Sequence, residues 1–449
     1  MGIKNSASGE SIHDLRRRVL EALPCRDEVL LNIIDALAVG PRPATPSELA
    51  LSPLWGFACS TLYSGLREGA DPATLAALRQ ARLGWWEQWG AWLSEPEARL
   101  GEWQVRVLDA TNYDRPRTHT VKIGYVHGAE GMKPGHALSV LSERAAEGSW
   151  FLPLEIALVA VEQSPTEFGA AQIVEYVRRY GWEPDEVLAV DAAYTNEPTL
   201  RPMVKAGVNV LGRVSSKRVF YLPPPPYRGT GRPRVRGRKL KLNDQRTLPD
   251  PDLEERVELA DGGWCEISQW NDVRMRKWPT QPLRLYRVWE YKADGTRRYK
   301  RPLWLIYVGR AVAPRPNEAQ AIYDHRFGVE HSLRLMKGEL ILDGAQFNGE
   351  QAQQRVALWV EVVATVLWVL FALRKFAQSD GVNWPQWWRG RRLTPGAVRR
   401  VALGLFVKLG IQPPKPQVRG KSPGRAVGTR LEPRKRYRIF RKRGRRVAA

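Results

Sequence analysis

The sequence predicts an α/β protein with a mixed central sheet, a strand-rich insertion and an N-terminal helical region. Three observations lead to this fold class. Between residues 101 and 214, strand-like and helix-like segments follow in the order β-β-β-α-β-α-β. Residues 215–302 alternate like antiparallel strands, and residues 1–100 show helical spacing. At 449 residues with 43% hydrophobic content, the chain has room for two or three structural units.

The charge balance points to a polyanionic partner. Seventy Lys and Arg against 47 Asp and Glu give a net charge of +23, which attracts ligands but does not build a fold. Nucleic acid is the expected partner, bound with strong salt dependence. An anionic membrane surface is the weaker alternative, and no membrane partner is expected.

The cysteine and histidine positions argue against several classes of site. Cys25, Cys59 and Cys265 lie far apart without a CxxC pair, and the six histidines lack a zinc-type spacing. The sequence also shows no P-loop and no nucleophile elbow. We therefore expect neither a zinc site nor a disulfide framework, and a reducing, cytoplasmic compartment fits the chain.

Residues 1–100 are predicted to form a helical, DNA-binding domain. A linker with a helix-cap signal is expected at 41–50. The last helix carries four tryptophans, which either pack the domain or stack on bases. The predicted helices cover 14–22, 28–38, 54–67 and 72–93.

Residues 101–214 are predicted to form the first part of the catalytic domain. Two of its strands carry an acid near the carboxyl end, Asp109 in the first and Asp191 in the fourth. The expected strands are 103–111, 136–143, 150–161, 185–194 and 208–214, and the expected helices are 164–180 and 197–206.

Residues 215–302 are predicted to form a β-rich insertion with a basic loop at 221–242. The loop is rich in Pro, Gly and positive charge. So many cations in one loop favour contact with a DNA backbone over a merely solvated loop. Its candidate DNA-binding residues are Arg228, Arg232, Arg234, Arg236, Arg238, Lys239 and Lys241.

Residues 303–378 are predicted to complete the catalytic domain. A strand at 303–309 returns to the main sheet, and the apolar segment 350–377 is expected to be a buried helix, with a membrane span as the alternative. A C-terminal helical region is expected at 379–412. The tail 413–449 has fourteen Lys or Arg and one acid, and should be disordered alone and bind nucleic acid.

One continuous helix is predicted from Ile322 to Leu340. At about 100° per residue, four of its polar side chains project within an arc of roughly 60°: Tyr323, Arg326, Glu330 and Lys337. One stripe then carries a carboxylate able to hold a metal and three donors able to hold phosphate oxygens. A solvated polar face is the plain alternative.

Asp109, Asp191 and Glu330 are the candidate catalytic and metal-binding residues. Acids at strand ends face the crevice where α/β sheets place their chemistry. Three converging carboxylates would bind two Mg²⁺ ions about 4 Å apart and support phosphodiester chemistry, with Mn²⁺ as a substitute. Taken singly, each aspartate is explained as well by a turn after its strand.

These motifs resemble those of DDE transposases from bacterial cut-and-paste insertion sequences. The spacing Tyr323-x2-Arg326-x3-Glu330-x6-Lys337 is similar to that family's Tyr–Arg–Glu–Lys signature, and LDATNYDRP and VLAVDAAYTN resemble its first two acid motifs. The resemblance covers roughly residues 103–375. It implies an RNase H-like mixed sheet interrupted by the β-rich insertion.

The resemblance also implies a reaction and partners. Asp109, Asp191 and Glu330 would bind the metal, whereas Tyr323, Arg326 and Lys337 would grip phosphates near the cut. The protein would cleave double-stranded DNA at terminal inverted repeats and join the 3′-hydroxyl to target DNA, acting as a homodimer on the bacterial nucleoid. Trp289 and Trp304 are candidates to stack a flipped base, with strand-core packing as the alternative.

Two other functions stay open at this point. A domesticated or inactive transposase would bind DNA without cutting it. Another RNase H-like nuclease would cut without strand transfer. A metal-dependent nicking assay separates the first from an active transposase, and strand-transfer products separate the second.

Overall fold

The computed structural model describes residues 7–23, 28–95, 98–115, 120–128, 131–146, 148–227, 229, 231–378, 382, 384, 391–415, 426–430, 433 and 435–440. The chain divides into two compact units. The first comprises residues 1–96, 110–164 and 328–449, and the second comprises residues 97–109 and 165–327. The second unit therefore interrupts the first along the chain.

The described helices confirm the N-terminal helical prediction and, except over residues 322–340, the helices expected farther along the chain. They are α1 (Ala7–Glu21), α2 (Glu28–Ala38), α3 (Cys59–Glu68), α4 (Pro72–Leu93), α5 (Pro165–Tyr180), α6 (Glu197–Lys205), α7 (Pro316–His325), α8 (Gly328–Gly338), α9 (Ala352–Phe376) and α10 (Pro395–Lys408). A 3₁₀ helix at Pro46–Leu51 occupies part of the predicted linker.

The described strands supply the predicted mixed sheet. They are β1 (Arg99–Leu100), β2 (Trp103–Asp114), β3 (Gly124–Gly128), β4 (Gly131–Arg144), β5 (Phe151–Leu158), β6 (Glu186–Val190), β7 (Val210–Arg213), β8 (Val219–Tyr221), β9 (Lys239–Lys241), β10 (Leu253–Glu258), β11 (Trp264–Met275), β12 (Trp278–Tyr291) and β13 (Leu303–Val308).

In the first unit, α9 is the central element. It packs against α1, α2, α3, α4, α8, α10 and β5, and its side chains are buried almost without interruption. By length and composition α9 could cross a membrane, yet 94% of its most apolar window is buried inside the protein. The prediction of a buried helix is confirmed, because an all-apolar helix must be covered on every side.

Two arginines of α4 neutralise the acid in the middle of α9. Glu361 accepts from Arg79 and Arg82 at 2.5 Å each, and Arg82 also donates to Thr365 Oγ1 at 2.8 Å. Glu361 and Arg82 are 2% and 0% exposed. A buried carboxylate needs such partners, since an unpaired buried charge is strongly destabilising.

The tryptophans of α4 pack within the first unit. Trp85 is fully buried, donates from Nε1 to the Ser11 carbonyl at 2.7 Å and meets Trp368 of α9 edge to face. Trp89 donates to Asp14 at 3.0 Å, while Trp92 is 39% exposed. The packing interpretation of these tryptophans is therefore supported. Asp71 caps the N-terminus of α4, where its side chain accepts hydrogen bonds from two backbone N–H groups.

In the second unit, the strands follow the order β2-β6-β7-β13-β12-β11-β8-β9, with β1 beside β2 and β10 beside β11. The β2–β6 and β6–β7 pairs are parallel, whereas β7–β13 and β13–β12 are antiparallel. Helix α7 packs against β6 and β7. The predicted return of 303–309 to the main sheet is confirmed by this order.

The prediction of one helix over Ile322–Leu340 is wrong. Helix α7 ends at His325, α8 begins at Gly328, and Arg326 and Phe327 close tight turns with their N–H groups bonded three residues back. The break coincides with a close approach at Gly328, where a Cβ would lie 2.3 Å from the Phe151 ring. This contact is distant in sequence, so local helix propensity could not reveal it.

Candidate active site

The two acids predicted at strand ends are brought together in the second unit. The prediction is wrong in one detail, because β2 continues to Asp114 and Asp109 lies within it, whereas Asp191 directly follows β6. Strands β2 and β6 pair in parallel with Leu108 opposite Val190, so Asp109 and Asp191 follow in register on neighbouring strands, which lie about 4.8 Å apart. Both acids are half-buried. Before its acid, β6 is an apolar run, the pattern of a parallel strand covered on both faces, whereas in β2 Gln104 and Arg106 alternate with apolar residues.

The turn after β6 is held firmly against β7. Tyr194 N–H donates to the Asp191 carbonyl at 3.0 Å, and Thr195 Oγ1 lies 2.8 Å from the Arg213 carbonyl. Gly212 permits this approach, because a Cβ there would lie 2.4 Å from Thr195 Cγ2. The position of the residues that follow Asp191 is thereby fixed.

The side chain of Tyr194 lies within electrostatic range of the acid pair. It is 2% exposed, and its hydroxyl has no hydrogen-bond partner among the described residues. Burial raises the pKa of Tyr194, and the carboxylates of Asp109 and Asp191 both act in the same direction. The hydroxyl is therefore within electrostatic reach of both acids.

The end of α7 brings two of the predicted phosphate-binding residues to the same place. Arg326 Nη1 lies 3.5 Å from Asp109 Oδ2, and its guanidinium lies 4.8 Å from the centre of the Phe327 ring and 5.4 Å from that of Tyr323. Tyr323 is 1% exposed, and burial raises the pKa of its phenol, with Asp191 acting in the same direction. These side chains are packed around the acid pair and do not form a solvated stripe.

Glu330 and Lys337 lie on α8, in the first unit. They are seven residues apart and so share one side of the helix, while Val329, Leu333 and Met336 of the same helix are buried. Glu330 is exposed and Lys337 half-buried. Burial raises the pKa of Asp343, and the ammonium of Lys337 offsets part of that rise.

A three-carboxylate metal centre stays a prediction. Over the described part of the chain, no three Asp, Glu, His or Cys side chains are grouped so that they could hold a metal ion. The Asp109–Asp191 pair nevertheless fits a hard divalent cation, because it offers carboxylate oxygens and an adjacent buried hydroxyl without a partner. A third ligand is needed to complete such a site.

The basic loop of the second unit is only partly a loop. Lys239 and Lys241 belong to β9, which pairs with β8, where an irregular segment was expected. Gly237 passes so close to Pro223 that a Cβ would lie 2.1 Å from its carbonyl oxygen. Arg228 lies outside the described residues. The remaining basic side chains are exposed, namely Arg232, Arg234, Arg236, Arg238, Lys239 and Lys241.

The two candidate base-stacking tryptophans differ in their surroundings. Trp304 is 2% exposed and packs on Trp270, which favours the strand-core interpretation. Trp289 is 9% exposed and carries the Arg297 guanidinium 4.0 Å from its ring centre. A base would have to displace Arg297 to reach that face.

Sequence reasoning missed Asp324, which lies in the last turn of α7. Burial raises its pKa to about 7, with Glu290 acting in the same direction, and Gln320 donates to its carboxyl group. Its place between Tyr323 and Arg326 was the available signal. Its carboxyl group lies where α7 packs against β12, and its pKa is near neutrality.

Comparison with known proteins identifies the family. Residues 18–274 match the DDE superfamily endonuclease family, and this range includes Asp109 and Asp191 but ends before Glu330. No curated protein matches the chain.

A piggyBac transposase in a synaptic complex with hairpin DNA, solved by cryo-EM, is similar in structure at 11% identity and a TM-score of 0.36. The alignment covers 78% of this chain and 60% of that one, so the chain spans less than two thirds of the other's length. Because the family match covers more than half of the 449 residues, the protein belongs to the DDE superfamily endonuclease family.

Proposed function

We propose that the protein is a transposase that cleaves the ends of an insertion sequence and transfers the freed 3′-hydroxyl into target DNA. The observation that carries this proposal is the in-register pair of Asp109 and Asp191 at neighbouring parallel strands. Membership of an endonuclease family supports a phosphodiester as the bond that is cut. The net charge of +23 supports DNA as the substrate.

The acid pair would hold Mg²⁺, or Mn²⁺ in its place, with Glu330 as the proposed third ligand. When bound, divalent ions would activate the attacking oxygen and stabilise the leaving oxygen. The chain's own contribution is to fix Asp109 and Asp191 on rigid strands. Such fixing keeps the ligands near the productive geometry without a cost at the moment of reaction.

The side chains around the pair would position the DNA phosphate. Arg326 offers a planar guanidinium suited to bidentate contact with phosphate oxygens, and its ion pair with Asp109 holds it at the site before DNA arrives. Tyr323 packs beside it and limits its freedom. Lys337 would contact a phosphate near the cut, and the exposed cations of residues 232–241 would contact backbone phosphates farther away.

A cleavage assay with a matched control tests the proposal. The full-length protein is incubated with a duplex bearing the inverted repeats that flank its gene, with Mg²⁺, Mn²⁺ or EDTA. Asp191→Asn should abolish cleavage while DNA binding persists. Asp185→Asn is the control, since Asp185 precedes the opposite end of β6 and pairs with Arg99; it should cleave normally.

The same assay separates the competing functions. Binding without metal-dependent cleavage by the unchanged protein would indicate an inactive, DNA-binding relative. Cleavage without joined products would indicate a nuclease that does not transpose. We propose that the active species is a homodimer. To test this, active protein is mixed with the Asp191→Asn variant, and the loss of paired-end products is measured.

A further inference from the structure

The Tyr194 hydroxyl is an unsatisfied polar group in a buried place. Tyr194 is 2% exposed, and its hydroxyl meets no hydrogen-bond partner among the described residues. A buried hydroxyl without a partner is unfavourable relative to a bonded one. A phenylalanine would fill the same space without that cost, so the hydroxyl calls for a specific explanation.

The backbone gives Tyr194 little freedom to find another partner. Its own N–H is bonded to the Asp191 carbonyl, and the next residue, Thr195, is tied to Arg213. Arg218 donates to the Thr195 carbonyl at 3.2 Å. The ring is consequently held in place by a turn that is bonded on both sides.

Two carboxylates influence the Tyr194 hydroxyl. Among the described residues, the charged groups that raise its pKa in addition to burial are Asp109 and Asp191. No direct hydrogen bond joins the hydroxyl to either carboxylate. A small polar molecule between them would satisfy the donor of the phenol and the acceptors of the acids together.

We propose that Tyr194 is a positioning residue whose hydroxyl hydrogen-bonds a water molecule held between Asp109 and Asp191, and thereby orients both carboxylates toward a divalent cation. The inference rests on the proposed function in one respect only, the binding of a divalent cation. Partners that orient metal ligands in this way typically contribute about 10–100-fold to metal affinity. The hydroxyl does not touch the substrate in this arrangement.

Direct cation binding, without any DNA, tests the role of Tyr194. Mn²⁺ is titrated into the full-length protein by calorimetry and by electron paramagnetic resonance of free Mn²⁺, for the unchanged chain and for Tyr194→Phe. We expect Tyr194→Phe to weaken Mn²⁺ binding about tenfold. Its thermal unfolding midpoint without metal should stay close to that of the unchanged chain, since the phenylalanine ring fills the same buried space.

Tyr286→Phe is the matched control. Tyr286 is also fully buried in the second unit, but its hydroxyl donates to the Pro314 carbonyl at 2.7 Å. Losing that bond should lower the unfolding midpoint and leave Mn²⁺ affinity unchanged. The two variants thus separate loss of a hydroxyl from loss of a metal-orienting contact.

Each remaining outcome overturns the inference in a distinguishable way. Equal Mn²⁺ affinity in Tyr194→Phe and the unchanged chain would show that the tyrosine only fills space, with the proposed function intact. Mn²⁺ binding that survives Asp191→Asn would place the cation elsewhere. Absence of Mn²⁺ binding in the unchanged chain would remove the metal from the proposed function itself.

Discussion

The two halves of the Tyr–Arg–Glu–Lys pattern lie in different surroundings. At the end of α7, Tyr323 and Arg326 are 1% and 5% exposed and pack with Asp109 in the second unit. On α8, Glu330 is exposed and Lys337 is half-buried in the first unit. The first pair therefore contributes to the core of its unit as well as to the site. The second pair lies on a more exposed part of its helix.

The largest expected effect tests whether both halves serve one reaction. Glu330→Gln should reduce DNA cleavage at least about 1,000-fold, as Asp191→Asn does, because losing any member of a catalytic set removes most of the rate. The unfolding midpoint should not move, since Glu330 is exposed. Glu339→Gln is the control, as this exposed acid pairs with Arg399; a Glu330 variant as active as this control would remove α8 from the site.

The second prediction contrasts the two cations of the pattern. Arg326→Ala should destabilise the protein by about 2–3 kcal/mol in denaturant unfolding, because it removes a largely buried ion pair with Asp109 and two ring contacts. Lys337→Ala should change stability by less than about 0.5 kcal/mol. It should weaken binding to the cleaved DNA end more than to uncut flanking DNA, and equal affinities would argue against a phosphate role for Lys337.

The third prediction concerns the break between the helices. A Cβ at Gly328 would lie 2.3 Å from the Phe151 ring, whereas one at Gly338 meets nothing within 4 Å. Gly328→Ala should therefore cost about 1–3 kcal/mol, and Gly338→Ala should be neutral or stabilise by up to about 1 kcal/mol. Equal unfolding free energies for the two variants would show that the close approach does not constrain α8.

The smallest effect concerns pH. Asp324 has a pKa of about 7 in the folded protein, above the value near 4 of an unfolded chain. The folded state thus binds the proton more tightly, and stability should fall as pH rises from about 4 to about 7. Asp324→Asn should flatten that slope and stabilise the protein at pH 8 by about 1 kcal/mol, measured as unfolding midpoint against pH. An unchanged slope would show that Asp324 is not the titrating group.

Features written in local patterns were predictable from the sequence. An apolar run followed by an acid identifies β6 with Asp191, and alternating apolar residues followed by an acid identify β2 with Asp109. Helix α9 was predictable because it is apolar on all sides. These signals lie within single segments of the chain.

Features set by distant contacts were not predictable in the same way. The helix break depends on Phe151 meeting Gly328, and the strand at Lys239–Lys241 depends on pairing with Val219–Tyr221. Strand β3 was missed because GYVHG shows little strand pattern until it pairs with β4. The charge on Asp324 likewise depends on burial beside Glu290, which spacing alone does not show.

The pairing of Glu361 with Arg79 and Arg82 has a consequence for biosynthesis. The α4 arginines and their acid are about 280 residues apart in the chain, and α1 to α4 all pack on α9. In a nascent chain that contains only α1 to α4, the apolar surfaces that pack on α9 stay exposed until α9 has left the ribosome. A truncated translation product ending before residue 352 therefore cannot complete the first unit. That unit becomes stable only when synthesis of the chain is nearly complete.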